Sequence, residues 1–197
     1  IGNSGSGLAV KVKKFSPGGS TVWTYYNPVG IGAPLNFKFT PDNAIVISGR
    51  GITGSVNAFA KLDLNGNHIW SSPGMNSLTI GDIAGDNAGN SYIISGLYGS
   101  NTQSTVTKTN PAGSILWQSN FNLAGLRIEV GTDNLPVIAG YPNTGSFGSS
   151  FVKVNSNGTL LWANPDADST FSLMLHAQLR MDQFNNIYLA AGTMTQM

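Results

Sequence analysis

The side chains able to do chemistry near neutral pH are few. His68 and His176 are the two histidines, and neither has an acid or a nucleophile beside it in sequence. General base catalysis and imidazole ligation therefore find no partner at motif spacing. There is no cysteine, which excludes disulfides, thiolate nucleophiles and Cys-ligated zinc. Asp82, Asp86, Asn87 and Asn90 have an oxygen-rich spacing suited to Ca²⁺, but the full ligand series and a bidentate Glu are missing, so an Asx-type turn is the better reading. Met174, Met181, Met194 and Met197 cluster late in the chain; with no His or Cys at ligand spacing they read as packing side chains rather than a soft metal site. Ser, His and Asp are all present, yet no nucleophile-elbow sequence holds them. These residues point to no catalytic group, no metal and no cofactor.

Charge is scarce as well. Lys, Arg, Asp and Glu make up 10% of the 197 residues, with a net charge of +1, where an average soluble protein carries roughly 25%. Solubility rests instead on neutral polar groups, with 25 Gly, 21 Asn, 21 Ser and 15 Thr. That mixture favours turns and strands and excludes a long charged helix or coiled coil. So small a net charge offers no field for nucleic acid or an anionic membrane, and neither partner is expected. No run approaches the roughly 18 apolar residues of a membrane span. The amino end, Ile1-Gly2-Asn3-Ser4-Gly5, resembles neither a signal peptide nor a natural start and reads as a processed or partial chain. The low charge with abundant Asn, Ser, Thr and Gly points to an extracellular or cell-surface protein.

The elements that must position these residues come from self-comparison. Trp23, Trp70, Trp117 and Trp162 each end one phrase, with a Lys nine residues before (Lys14, Lys61, Lys108, Lys153) and a Gly four before (Gly19, Gly66, Gly113, Gly158). A second phrase runs out of phase with it, an Asn, a mainly apolar run and a Gly six residues on: Asn43 to Gly49, Asn90 to Gly96, Asn134 to Gly140 and Asn186 to Gly192. Two phrases keeping one four-fold order define units at approximately 2–49, 49–96, 96–140 and 140–192 of a single domain over 1–197. Within a unit, Leu35-Asn36-Phe37-Lys38-Phe39 alternates with the strand period of two, and Ala44-Ile45-Val46-Ile47-Ser48 reads as a strand buried on both faces. The Lys-bearing strand and the strand ending at Trp complete four antiparallel strands.

A period of about 47 residues matches a propeller blade. The expected fold is therefore an all-β propeller of four-stranded antiparallel blades. Such sheets pack face to face with the Trp as the wedge between them, and Tyr92, Tyr188, Phe59 and Phe151 fill the remaining layer. Replacing a buried wedge should be severe: Trp70→Ala is expected to lose about 3–5 kcal/mol in thermal melts.

Asp86-Asn87-Ala88-Gly89-Asn90-Ser91-Tyr92-Ile93-Ile94-Ser95-Gly96, with Lys108 and Gly113 to Trp117 after it, resembles the bacterial SBBP-type β-propeller repeat. Lys61-Leu62-Asp63-Leu64-Asn65-Gly66-Asn67-His68-Ile69-Trp70 is similar to the repeat of pyrroloquinoline-quinone-type propellers. The likeness covers the whole chain and implies a scaffold serving many tasks; for Asp63 it implies bracing of a turn. The third unit departs from it at Asp133-Asn134-Leu135-Pro136, where the proline reads as an edge or irregular strand.

The phase of the units leaves strands three and four at the start of the chain and strands one and two at its end. Three completions follow: a closed four-blade ring with one composite blade, a part of a seven- or eight-bladed ring, or two chains combined. The repeated Lys reads as structural, its methylenes on the sheet and its charge in water. The first strand of each unit is the expected inner one, and it carries the charges that differ between units: Lys38, Asp82, Arg127 with Glu129, and Arg180. With loop tyrosines Tyr25, Tyr26, Tyr98 and Tyr141 these make a candidate ligand or glycan pocket, against a plainer reading in which the charges neutralise one another. The function expected is a non-catalytic binding or interaction module for protein or carbohydrate. Its alternatives are an architectural segment of a surface fibre, adhesin or secretion-system cargo and, less favoured, a quinoprotein-like enzyme.

Overall fold

The computed structural model describes residues 10–27, 31–51, 57–75, 82–96, 103–142, 150–165, 171–172, 177–190 and 192–193. These are all β or turn, with no helix. A hairpin of β1 (Val10–Phe15) and β2 (Thr21–Asn27) comes first. Three four-stranded antiparallel meanders follow. The first contains β3 (Ile31–Thr40), β4 (Ala44–Gly51), β5 (Asn57–Asp63) and β6 (His68–Met75). The second contains β7 (Asp82–Gly85), β8 (Ser91–Gly96), β9 (Ser104–Thr109) and β10 (Ile115–Phe121). The third contains β11 (Leu123–Val130), β12 (Pro136–Pro142), β13 (Ser150–Val154) and β14 (Leu160–Pro165). Last, β15 (Phe171–Ser172) pairs with β18 (Gly192–Thr193), and between them β16 (Gln178–Met181) and β17 (Ile187–Ala190) form a hairpin.

Eight tight turns build one end of this array. Each closes over a residue in the left-handed region: Asn43, Gly89, Asn134 and Asn185 between first and second strands, and Gly19, Gly66, Gly113 and Gly158 between third and fourth. In the Asp63–Asn67 turn, Gly66 N–H donates to Asp63 O at 3.1 Å and Asp63 N–H to Asn67 O at 3.0 Å, a three-residue hairpin loop. Asn is tolerated in the first set because its short polar side chain accepts this conformation. The second set is glycine throughout, for a further reason. A Cβ on Gly66, Gly113 or Gly158 would lie within 2.7–3.0 Å of the ring of Trp23, Trp70 or Trp117, each from the preceding sheet. The Lys-to-Gly-to-Trp phrase thus encodes contact between neighbours as well as a turn.

The apolar residues form layers between consecutive sheets. Val10 and Val12 pack with Ile45 and Ile47; Val46 and Phe59 pack with Ile83 and Ile93; Tyr92 and Ile94 pack with Ile128 and Ile138; Val137 and Ala139 pack with Leu179. Alternate residues of each second strand serve opposite layers, so these strands need apolar side chains on both faces. First strands also contact one another, β3 with β7, β7 with β11 and β11 with β16.

Several expectations are corrected. Pro136 does not mark an edge: β12 is flanked by β11 and β13, and the proline is its first residue, ahead of the pairing with β13 that begins at Val137. A proline is tolerated where no ladder donor is needed. Tyr92 and Phe59 are fully buried, but Tyr188 is 57% exposed, because among the described residues β17 pairs with β16 alone. Trp70 is 6% exposed and Trp162 39%; among the described residues no further turn lies over Trp162 as one does over its three equivalents. Lys61 and Lys108 do not keep their charges in water but are buried, for reasons given below.

Candidate functional site

First strands gather the charges that differ between units. Lys38, Glu129 and Arg180 each stand five residues before the left-handed turn residue of their unit, on β3, β11 and β16. The second unit has Ala84 there and carries its charge two residues earlier, on the same strand face, at Asp82. Asp82 is fully buried. Its Oδ2 accepts from Lys38 Nζ at 2.8 Å and Ile128 N–H at 3.0 Å, and its Oδ1 accepts from Ile83 N–H at 2.9 Å. Lys38 Nζ also donates to Ile128 O at 2.8 Å. A buried carboxylate so surrounded is compensated on both oxygens.

Glu129 and Arg180 complete the cluster more loosely. Glu129 Oε2 lies 3.7 Å from Lys38 Nζ and 3.4 Å from Arg180 Nη1. Burial pushes the Glu129 carboxyl above its ordinary range, against the pull of Lys38 and Arg180. Arg180 donates to Leu179 O at 2.7 Å, and its side chain is 61% exposed. Arg127 turns its Nε to Ala177 O at 2.6 Å, tying β11 to the start of the last hairpin. The cluster therefore grades from a closed Lys38–Asp82 pair to an open guanidinium.

A second set of charges repeats with the units and closes the turn end. Lys61 Nζ lies 2.7 Å from Asp42 Oδ2 and donates to Gly89 O of the next sheet at 2.7 Å. Burial raises the Asp42 carboxyl, but bonds from Lys61 and Thr40 outweigh it and hold it below the usual range. Lys153 Nζ meets Asp133 Oδ2 at 2.6 Å. In the second sheet Val gives way to Tyr92, whose hydroxyl donates to Asp86 Oδ2 at 3.2 Å, while Lys108 Nζ sits 5.0 Å over its ring and 4.0 Å from Asp86. Burial, then the Asp86 charge, pushes the Tyr92 hydroxyl far up. Asp63, Asp86 and Asp182 each accept from two backbone N–H groups of their own turns. The Asp82 to Asn90 stretch is accordingly a strand and an Asx turn, and Asp63 braces its turn.

The candidate tyrosines among the described residues lie in strands rather than loops. Tyr25 and Tyr26 lie in β2, where Tyr25 stacks on His68 with ring centres 6.3 Å apart and Lys11 Nζ lies 5.0 Å over the Tyr26 ring. Tyr141 lies in β12 opposite Ala124, half-buried. Tyr98, His176, Met174, Met194 and Met197 fall outside the described residues. Among the described residues no group of three His, Cys, Asp or Glu is placed to hold a metal, and no helix is long and apolar enough to cross a membrane. A cleft of about 550 Å³ beside β10 and β14 is lined by Ser119, Asn120, Phe121 and Leu160 among others, with no charged side chain. Sequence reasoning missed Asp42 and Asp133 as the lysines' partners. Their signal was an Asp directly before the left-handed Asn43 or Asn134.

No family model matches the chain, and no curated protein matches it. Solved structures are similar in fold. A protein of unknown function from Bacteroides caccae aligns with a TM-score of 0.53 at 16% identity, over 87% of this chain and 57% of that one. A eukaryotic initiation factor aligns with a TM-score of 0.53 at 13% identity, over 81% of this chain and 40% of that one. The chain thus spans little more than half the length of the first of these structures and less than half of the second.

Proposed function

We propose that the tandem sheets are blades of a β-propeller of the SBBP-type repeat, and that the protein is a non-catalytic binding module working outside the cell or at its surface. Face-to-face layers between consecutive four-stranded sheets, with first strands in mutual contact, support the propeller reading. First strands are then the axial ones, and the loops and side chains at the axis are where a ligand sits.

One observation carries the binding reading: the charges that vary between units converge from β3, β7, β11 and β16 on one place, and the outermost, Arg180, is open to solvent. A guanidinium offers paired donors to a carboxylate, so the ligand is an acidic group on a glycan or a protein. The test is a titration of ¹⁵N-labelled protein with acidic and neutral oligosaccharides and with acidic peptides. Amide shifts centred on Arg180, Glu129 and Lys38, lost in Arg180→Gln, are the expected result. Saturating shifts elsewhere, or none with any of these ligands, would sink the reading.

A further inference from the structure

We propose that the cleft between the second and third sheets is a further binding site, distinct from the charge cluster, which takes the neutral ring of a tyrosine side chain presented by a partner protein. The three four-stranded sheets pair their third and fourth strands alike, so their outer grooves can be compared residue by residue. Ala60 is opposite Ser71, Thr107 opposite Gln118 and Val152 opposite Ala163. Leu62 is opposite His68, Thr109 opposite Ile115 and Val154 opposite Leu160. The outer strand that faces a groove from the preceding sheet aligns in the same way. Tyr25 on β2 is opposite Val12 and Ser119 on β10 is opposite Val106, with Val12 and Val106 each two residues before the repeated lysine.

The groove on the first sheet is filled by the chain itself. Tyr25 is half-buried against a layer that includes Ala58, Ala60 and Leu62. Its ring stacks on His68 at an interplanar angle of 6°, with centres 6.3 Å apart. Burial raises its hydroxyl above the ordinary range, as befits a phenol partly withdrawn from water. On the second sheet a different side chain occupies the groove: Gln118 lies along Thr107, its Nε2 donating to Thr107 Oγ1 at 3.0 Å.

The groove on the third sheet has neither device. Ser119 stands at the position of Tyr25, Leu160 at that of His68 and Ala163 at that of Gln118. Ser119 faces this groove, since a Cβ on Gly158 would lie 2.6 Å from its Oγ. The space left is the cleft of about 550 Å³, within the range of roughly 300–1,000 Å³ usual for ligand pockets. β10 is the outermost strand of its sheet, so the cleft opens at the rim.

The lining selects the ligand. Phe121, Val152 and Leu160 give apolar surface for the faces of a ring, and Ser119 and Ser150 bring hydroxyls for one polar tip. No charged side chain lines the cleft among the described residues, so a charged ligand would lose water without gaining a partner. Free tyrosine carries an ammonium and a carboxylate, whereas a tyrosine within a polypeptide carries neither. A sugar has a hydroxyl on nearly every carbon, more than this lining can match, and the internal example in the first groove is a tyrosine.

The test is a titration of the whole ¹⁵N-labelled chain with N-acetyltyrosinamide. Saturable amide shifts centred on Ser119, Val152 and Leu160 are expected, with none from N-acetylalaninamide. Ser119→Tyr supplies the ring from the chain itself and should weaken probe binding about tenfold or more without lowering the melting temperature. Leu160→Asp, at a side chain 47% exposed, should keep the fold and weaken binding by a similar factor, because it sets a charge beside the ring. The absence of saturable shifts, shifts centred elsewhere, or a response to methyl glucoside stronger than that to the tyrosine probe would overturn the proposal. Unaltered binding in both variants would do the same. Arg180→Gln should leave the probe's shifts unchanged, since the charge cluster takes no part, and a failed titration with acidic ligands leaves this result standing.

Discussion

The turn end and the first-strand cluster are built from the same few residue types and differ in how they are shared. At the turns of the three four-stranded sheets the lysine has one carboxylate of its own sheet: Lys61 with Asp42, Lys153 with Asp133, Lys108 with Asp86 beside Tyr92. Among the first strands one lysine serves Asp82, Glu129 and a carbonyl, and Glu129 is divided between Lys38 and Arg180. The turn pairs recur with the unit, so they answer a need of every sheet. The cluster uses one position of the unit for Lys, Glu and Arg in turn, which no shared structural need requires. Repetition marks scaffold, and variation at a fixed register marks the candidate site.

Removing the closed part of the cluster should have the largest effect. Lys38→Met strands Asp82 as a buried carboxylate and is expected to lose about 3–5 kcal/mol in urea unfolding, much of it restored by adding Asp82→Asn. Lys61→Met attacks a turn pair whose carboxylate is still reached by water, so a smaller loss of about 1–3 kcal/mol is expected in the same assay. Should the turn variant prove the costlier, the cluster is not the tightly coupled region of the two. Arg180→Gln, at the open end, should change stability by no more than about 0.5 kcal/mol, while abolishing the ligand-induced amide shifts.

The finest distinction is in the pH dependence. Asp42 titrates below its ordinary range, so its stabilisation is present above the unfolded-state value and fades as pH falls through the folded one. Glu129 titrates above its range, so the folded state binds its proton more tightly, and a destabilising contribution grows as pH rises from the ordinary value through the folded one. The stability differences of Asp42→Asn and Glu129→Gln from the parent should therefore change with pH in opposite senses across the acid range. Parallel profiles from thermal melts would remove the contrast.

Much of this was legible in the residues. Two phrases in register gave the strand count, the neighbour order and the glycine turns, because backbone conformation and apolar layers repeat with the unit. Lys38, Asp82, Glu129 and Arg180 were singled out on first strands and do converge. What stayed hidden were relations between units. Burial of Lys61 depends on Gly89 O from the next sheet, and the exposure of Tyr188 and Trp162 on the absence, among the described residues, of a further sheet beside them. Tyr25, Tyr26 and Tyr141 were misplaced in loops because each follows or precedes turn-forming residues, while their backbones remain paired in β2 and β12.

The apolar layers have a consequence for how the molecule comes apart. Each lies between two consecutive sheets and none spans three, so the array behaves as a one-dimensional lattice with nearest-neighbour coupling. Opening a terminal hairpin breaks one layer, whereas opening the second sheet breaks two. Amide exchange should accordingly be slowest in the second sheet, with Ile93, Ile94 and Val106 among the last protons to be replaced.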